Sequence, residues 1–269
     1  MNTLNKLFID YGRIFDNYFV KIISMKSKKY IFILLFGLIF IASCKKQAVT
    51  RAVQFTSTTY DTVGTFDNTG KPGSLLPKDN ISTPLQNFID TLLPERHDLR
   101  QTHPELFTSS AIADVVITQK SNVVITFLSG HTQWHNTFAI YTYTTGNPPL
   151  TTADIKLITY VFPNAGQGSP LQSGDKIDVG TFEAGTSIGF VLMQDAWSMT
   201  NHSINNTAPH FCSADILNPE INPNLKRHAV LINYPLENKV LIGFEDTNRT
   251  DPVCDNDFND LLIYCTISH

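Results

Sequence analysis

From residue 113 to the C-terminus the chain runs in short β-branched, aromatic and aliphatic segments broken at close intervals by Gly, Pro, Asn and Asp. The segments are 113–118, 122–128, 137–143, 155–162, 176–179, 187–194, 228–233, 239–244 and 260–267. Turn residues such as Ser129-Gly130, Gly146-Asn147-Pro148 and Ser173-Gly174-Asp175 separate them. Many short strands at this spacing predict an all-β unit, an antiparallel β-sandwich or jelly-roll-like fold. No internal repeat is evident, which argues against a propeller or solenoid.

One segment breaks the β rhythm. Ser82-Thr83-Pro84 reads as an N-cap with proline at the first turn, and Leu85, Phe88, Ile89, Leu92 and Leu93 follow at helical spacing until Pro94. This predicts one short N-terminal amphipathic helix, so that residues 81–109 form a helix and linker packed on a domain of residues 110–269. Residues 45–80 are rich in Thr, Gly, Asp and Asn. They read as a flexible tether with room for one strand near Val53-Gln54-Phe55.

The chemistry concentrates near the end of the chain. Glu245, Asp246, Asp251, Asp255, Asp257 and Asp260 crowd one stretch between two apolar segments, with only Arg249 to offset them. Carboxylates this close repel unless something neutralises them. Calcium takes about 6–8 oxygen ligands and favours Asp, Glu, Asn and main-chain carbonyls. If 239–244 and 260–267 pair as a hairpin, its loop brings the acids of both ends together. In an extended segment Asp255 and Asp257 face one centre while Asn256 points elsewhere. The expected ligands are Glu245, Asp255, Asp257 and Asp260, with Asp246 and Asn259 as second choices. An EF-hand is excluded by spacing, and zinc is disfavoured because its structural sites use Cys and His, which are missing from this cluster. The alternative is a solvated acidic turn without metal, although a turn needs one or two Asp and not six.

The other end of the chain predicts where this loop works. Residues 30–42 are almost unbroken apolar residues, preceded by Lys26, Lys28 and Lys29, a run with the length of a signal-peptide core rather than a membrane span. Residues 1–43 read as a signal peptide whose start is mis-assigned, with Met25 as the true translation start. Ile41-Ala42-Ser43-Cys44 resembles the lipobox of bacterial lipoproteins, which implies lipidation of Cys44 and anchoring to the cell envelope, most simply the outer membrane, with the leaflet unspecified. Net charge is −4 and no Lys/Arg cluster follows Lys45-Lys46, so nucleic acid is not an expected partner. Export permits disulfides. Cys212 and Cys254 stand in polar loop sequence and are the expected bridge, with Cys265 a buried thiol in the last strand.

Several stretches together resemble one family. Trp134-His135-Asn136-Thr137-Phe138, Val161-Phe162-Pro163-Asn164-Ala165, Leu171-Gln172-Ser173-Gly174-Asp175, Gly180-Thr181-Phe182-Glu183-Ala184-Gly185 and the closing Gly243-Phe244-Glu245-Asp246 with Asp255-Asn256-Asp257-Phe258-Asn259-Asp260 are similar to the bacterial C-terminal module called Domain of Unknown Function 4114. The resemblance spans roughly 110–268. Similar modules occur on LruC-type lipoproteins and on secreted adhesins. The resemblance implies an exported β-rich module with an acidic signature, for which calcium binding and enzymatic activity have both been suggested. This chain departs from the pattern at Asp195-Ala196-Trp197 and at Cys254.

Other constellations carry less. Gly185-Thr186-Ser187-Ile188-Gly189 matches a nucleophile elbow in letters, yet a β-type run follows the serine where a helix is required. Trp134 and Trp197 are weak candidates for stacking on a sugar ring, with core packing the commoner role. The reading is therefore an exported lipoprotein with a calcium-binding β-sandwich for recognition or adhesion toward a glycan or surface protein. Two alternatives stand beside it: a calcium-dependent hydrolase of envelope or dietary polysaccharide using Glu245 and an Asp, and a purely structural envelope component.

Overall fold

The computed structural model describes residues 55–269. The apolar leader, Met25 and Cys44 lie outside the described residues. In chain order the strands are β1 (Thr59–Thr62), β2 (Leu75–Leu76), β3 (Val115–Ile117), β4 (Ser121–Ser129), β5 (Thr137–Thr144), β6 (Leu157–Phe162) and β7 (Lys176–Phe182). They continue with β8 (Thr186–Met193), β9 (Trp197–Ser198), β10 (Ser203–Ile204), β11 (His210–Cys212), β12 (Ala229–Tyr234), β13 (Lys239–Phe244) and β14 (Leu261–Ser268). Helix α1 (Thr83–Leu92) and the single turn α2 (Leu99–Thr102) precede β3.

Two six-stranded sheets form a sandwich. The first runs β1-β6-β5-β8-β11, with β3 also on β8; the second runs β12-β13-β14-β4-β7-β2. Every pairing is antiparallel except β1 with β6. The inner faces meet in one core that draws Phe138, Ile140, Phe190 and Leu192 from the first sheet and Ile125, Ile242, Phe244 and Ile263 from the second. Phe138 meets Phe244 edge-on across the sandwich, ring centroids 6.2 Å apart. That contact fixes the strand end from which Glu245 departs.

Helix α1 forms where expected. Ser82 caps it, its Oγ accepting the Leu85 N–H at 3.1 Å, and proline stands in the first turn where no N–H is needed. Leu85, Ile89 and Leu93 then pack on the outer face of the second sheet against Val230, Leu241, Leu262 and Tyr264. Truncating a fully buried leucine such as Leu85 to alanine costs about 2–5 kcal/mol. Because α1 covers this face, β13 and β14 are buried on both sides, and their sequence is continuously apolar instead of alternating.

The tether expected over 44–80 does not extend through its described part. Residues 59–62 and 75–76 are strands of the two sheets, paired to β6 and β7 respectively. Their sequence, Thr-Tyr-Asp-Thr in the first case, shows no apolar alternation because pairing is secured by hydrogen bonds. The hydroxyls of Thr58 and Thr59 donate to the carbonyls of Ile155 and Lys156 at 2.7 and 2.8 Å. Among the described residues no helix is long and apolar enough to cross a membrane.

Candidate functional site

β13 and β14 pair as an antiparallel hairpin whose last partners are Phe244 and Leu261, so Glu245 and Asp260 stand at the mouth of the acidic loop. The Asp246 N–H donates to Asp260 Oδ2 at 2.8 Å. Asp246 itself turns inward: its Oδ2 accepts from the Thr132 hydroxyl and from Asn136 Nδ2 at 2.5 Å. Asn136 Oδ1 in turn accepts the Asp195 N–H at 3.0 Å, so one buried amide links the loop before β5 to the turn after β8. Glu245, 1 % exposed, accepts the Phe258 N–H at 2.9 Å on one oxygen and the Cys254 thiol at 3.0 Å on the other.

A second group lies further out. One carboxylate oxygen from each of Glu95, Asp255 and Asp257 falls within 4.8 Å of the others. Asp257 is fixed from both sides, accepting the Arg96 N–H at 2.7 Å and the Asn259 N–H at 3.1 Å. Asn256 between the two aspartates adopts a left-handed backbone, φ 63°, and its side chain is buried away from them. The left-handed turn, and not an extended strand, aims Asp255 and Asp257 at one centre.

These groups share a cleft of about 600 Å³, lined by Glu95, His131, Trp134, Glu245, Asp246, Cys254, Asp255 and Asp260 together with Thr132, Gln133, Gln167, Thr247 and Val253. Burial dominates its electrostatics. It pushes Glu245 up to about 7, with the charges of Asp257 and Asp255 adding to it. Asp260 rises to about 10 through burial and then the charges of Asp246 and Glu245. Asp246 and Asp257 are also raised, chiefly by burial. Burial and the neighbouring Glu245 carboxylate lift the Cys254 thiol well above its ordinary range. The protein thus gathers acids that resist ionising together.

The four expected principal ligands do not form one shell. Asp255 and Asp257 converge with Glu95, whereas Glu245, Asp246 and Asp260 floor the cleft through bonds to the protein itself. Asn259 is turned to the helical side, its Nδ2 donating to the Leu93 carbonyl at 3.4 Å. Glu95 escaped the sequence reading because it lies in a short run after α1, far along the chain from the loop it joins. Nothing local signals that contact. Thr132 and Asn136, which hold Asp246, were hidden for the same reason.

Two further expectations are corrected. Cys212 and Cys254 are free thiols, as is Cys265: Cys212 is enclosed in β11, while Cys254 bonds to Glu245. Trp197 is 2 % exposed and packs edge-on against Phe66, so it offers no face for stacking. Trp134 is half-buried and lines the cleft. Ser187 lies buried within β8 and shares a hydrogen bond with the Thr145 hydroxyl, in keeping with the absence of an elbow.

Comparisons with curated proteins and with solved structures give no match. A family model matches residues 182–268, a shorter span than the resemblance suggested. That span holds β8 to β14, yet β14 pairs with β4 and β8 with β5, so the sandwich needs the strands before it as well. The C-terminal part of the chain, with the acidic hairpin inside it, is thus similar to the family described as Domain of unknown function (DUF4114).

Proposed function

We propose that this chain is a calcium-binding recognition module, in which a cation held by Glu95, Asp255 and Asp257 organises the rim of the adjoining cleft. The observation that carries the reading is the convergence of three carboxylate oxygens within 4.8 Å. Calcium binds oxygen at about 2.3–2.6 Å, so two oxygens on one ion lie no more than about 5 Å apart. The donor set is hard and anionic, and main-chain carbonyls and water complete a shell of this kind. Trp134, Gln133 and Gln167 beside it suit a polyhydroxylated or protein ligand. On this reading the leader and Cys44 tether the module to the envelope, where it serves adhesion.

The hydrolase alternative draws support from Glu245, whose burial raises it to about 7, a value suited to a general acid. Both Glu245 oxygens are engaged by the protein, however, which favours binding without turnover. The deciding measurement is thermal unfolding with excess calcium against EDTA. Binding at about 100 times Kd adds roughly 2.7 kcal/mol to stability. Equal melting temperatures would remove the cation from the proposal, and a glycan array with and without calcium then addresses the ligand.

A further inference from the structure

Arg249 is a cation enclosed within the acidic loop, 5 % exposed, yet it does not line the cleft. Its guanidinium lies over Phe258 and Phe107, 5.3 and 5.8 Å from their ring centroids. Nε donates to Asn256 Oδ1 at 3.0 Å and Nη1 to the Arg227 carbonyl at 2.7 Å. Nη2 is buried with no hydrogen-bond partner. Burying a guanidinium with a donor unmet is costly, so its fork is placed for what it holds.

What it holds is the residue that shapes the site. Asn256 is 6 % exposed and left-handed at φ 63°, and it separates Asp255 from Asp257. Asn tolerates that backbone better than other side chains, but the conformation still needs support from its surroundings. The support is visible: Asn256 Oδ1 accepts from Arg249, its Nδ2 donates to the Cys254 carbonyl at 3.1 Å, and its carbonyl accepts the Leu99 N–H at 2.9 Å.

We infer that Arg249 is the positioning residue of the acidic loop: through Asn256 it sets the left-handed turn that aims Asp255 and Asp257 at Glu95. The functional half of this inference rests on the cation reading; the structural half does not. The sign of the effect separates it from a plain counter-charge. A buried positive charge acting only through its field would repel a bound cation, and its removal would tighten binding. A clamp that pre-forms the turn has the opposite effect, because its loss leaves the metal to order the loop.

The test is a double-mutant cycle on the full chain, with calcium titration calorimetry and amide hydrogen exchange of the metal-free protein as paired readouts. Arg249→Met keeps the stem against the rings and removes the fork, and Asn256→Gly keeps the backbone preference while removing the amide. Arg249→Met is expected to weaken calcium binding about ten-fold, the scale of one charged hydrogen bond, and to speed exchange over residues 255–259. In the Asn256→Gly background it should add nothing further. Unchanged affinity and exchange, tighter binding, or fully additive losses would each overturn the inference. If the wild type binds no calcium but Arg249→Met still loses protection at 255–259, the positioning role stands and the cation reading falls. Should Arg249→Met fail to fold, Asn256→Gly alone decides, since undiminished protection at Asp255 and Asp257 would refute the turn's dependence on that amide.

Discussion

Asp246 and Asp260 close on one another at the mouth of the β13–β14 hairpin, the N–H of the first donating to Oδ2 of the second at 2.8 Å. The bond comes from hairpin pairing, which brings the ends of the acidic loop together whatever the acids prefer. Burial then makes their joint ionisation costly. The fold therefore stores electrostatic tension where the loop begins and ends.

That tension has a pH signature in the metal-free protein. Asp260 is raised to about 10 and Glu245 to about 7, so between the ordinary carboxylate range and those values the folded chain binds more protons than the unfolded one. Their contribution is fully present below the unfolded values and is lost as pH rises toward the folded ones. Asp260→Asn removes one such proton and should flatten the fall of stability with pH by up to about 1.4 kcal/mol per unit. Urea unfolding in EDTA at several values between pH 5 and 8 reads this directly, and parallel profiles for variant and wild type would refute it.

Glu95→Gln should leave the metal-free fold within about 0.5 kcal/mol of wild type, since the side chain is exposed and its contacts, an ion pair with Arg96 and a 3.5 Å approach to His131, lie at the surface. Calcium affinity should nevertheless fall about ten-fold or more, because affinity for this ion follows the number of charged oxygens. Calorimetry gives the affinity and thermal melts in EDTA give the control. Undiminished affinity would remove Glu95 from the shell.

Cysteine chemistry supplies an independent check on the loop. Cys212 and Cys265 are enclosed by apolar neighbours, and the partly exposed Cys254 thiol is held protonated by burial and by Glu245. Alkylation after unfolding without reductant should therefore modify Cys212, Cys254 and Cys265 alike, whereas the native chain reacts slowly at all three. A peptide pair linking Cys212 to Cys254 in the mass spectrum would show a different loop.

The extent to which these features were legible follows the distance over which they act. Helix α1 could be read from Ser82, Pro84 and the spacing of Leu85 and Ile89, because cap and apolar face are both local. The hairpin was legible for the same reason. Glu95 was not, since its meeting with Asp255 and Asp257 depends on α1 docking over the second sheet through Leu85 and Leu93. Cys212 misled because its strand is three residues long, too short for a period, and its polar flank suggested a loop. Strand β1 hid behind threonines whose hydroxyls pair with β6 carbonyls or their neighbours, where apolar content carries no signal.

His210 titrates in the opposite sense to the acids and offers a separate probe of the first sheet. It is 1 % exposed, stacks on Phe55 at 4.4 Å, and places Nδ1 2.8 Å from the Ala208 carbonyl. A carbonyl only accepts, so Nδ1 carries the proton, and the Tyr60 hydroxyl at 2.9 Å donates to Nε2. Burial lowers its pKa to about 4, below the unfolded value near 6.5. Stability from this residue is thus present above the unfolded value and is lost as pH falls toward 4, by up to about 3 kcal/mol if no other group compensates. Nitrogen NMR of the imidazole should show Nε2 unprotonated at pH 5.5, where an exposed histidine is mostly charged. Tyr60→Phe should cost about 0.5–1.5 kcal/mol by removing that hydrogen bond. A His210 midpoint near 6.5, or a silent Tyr60→Phe, would mean that Tyr60 does not reach across the outer face of the first sheet to β11.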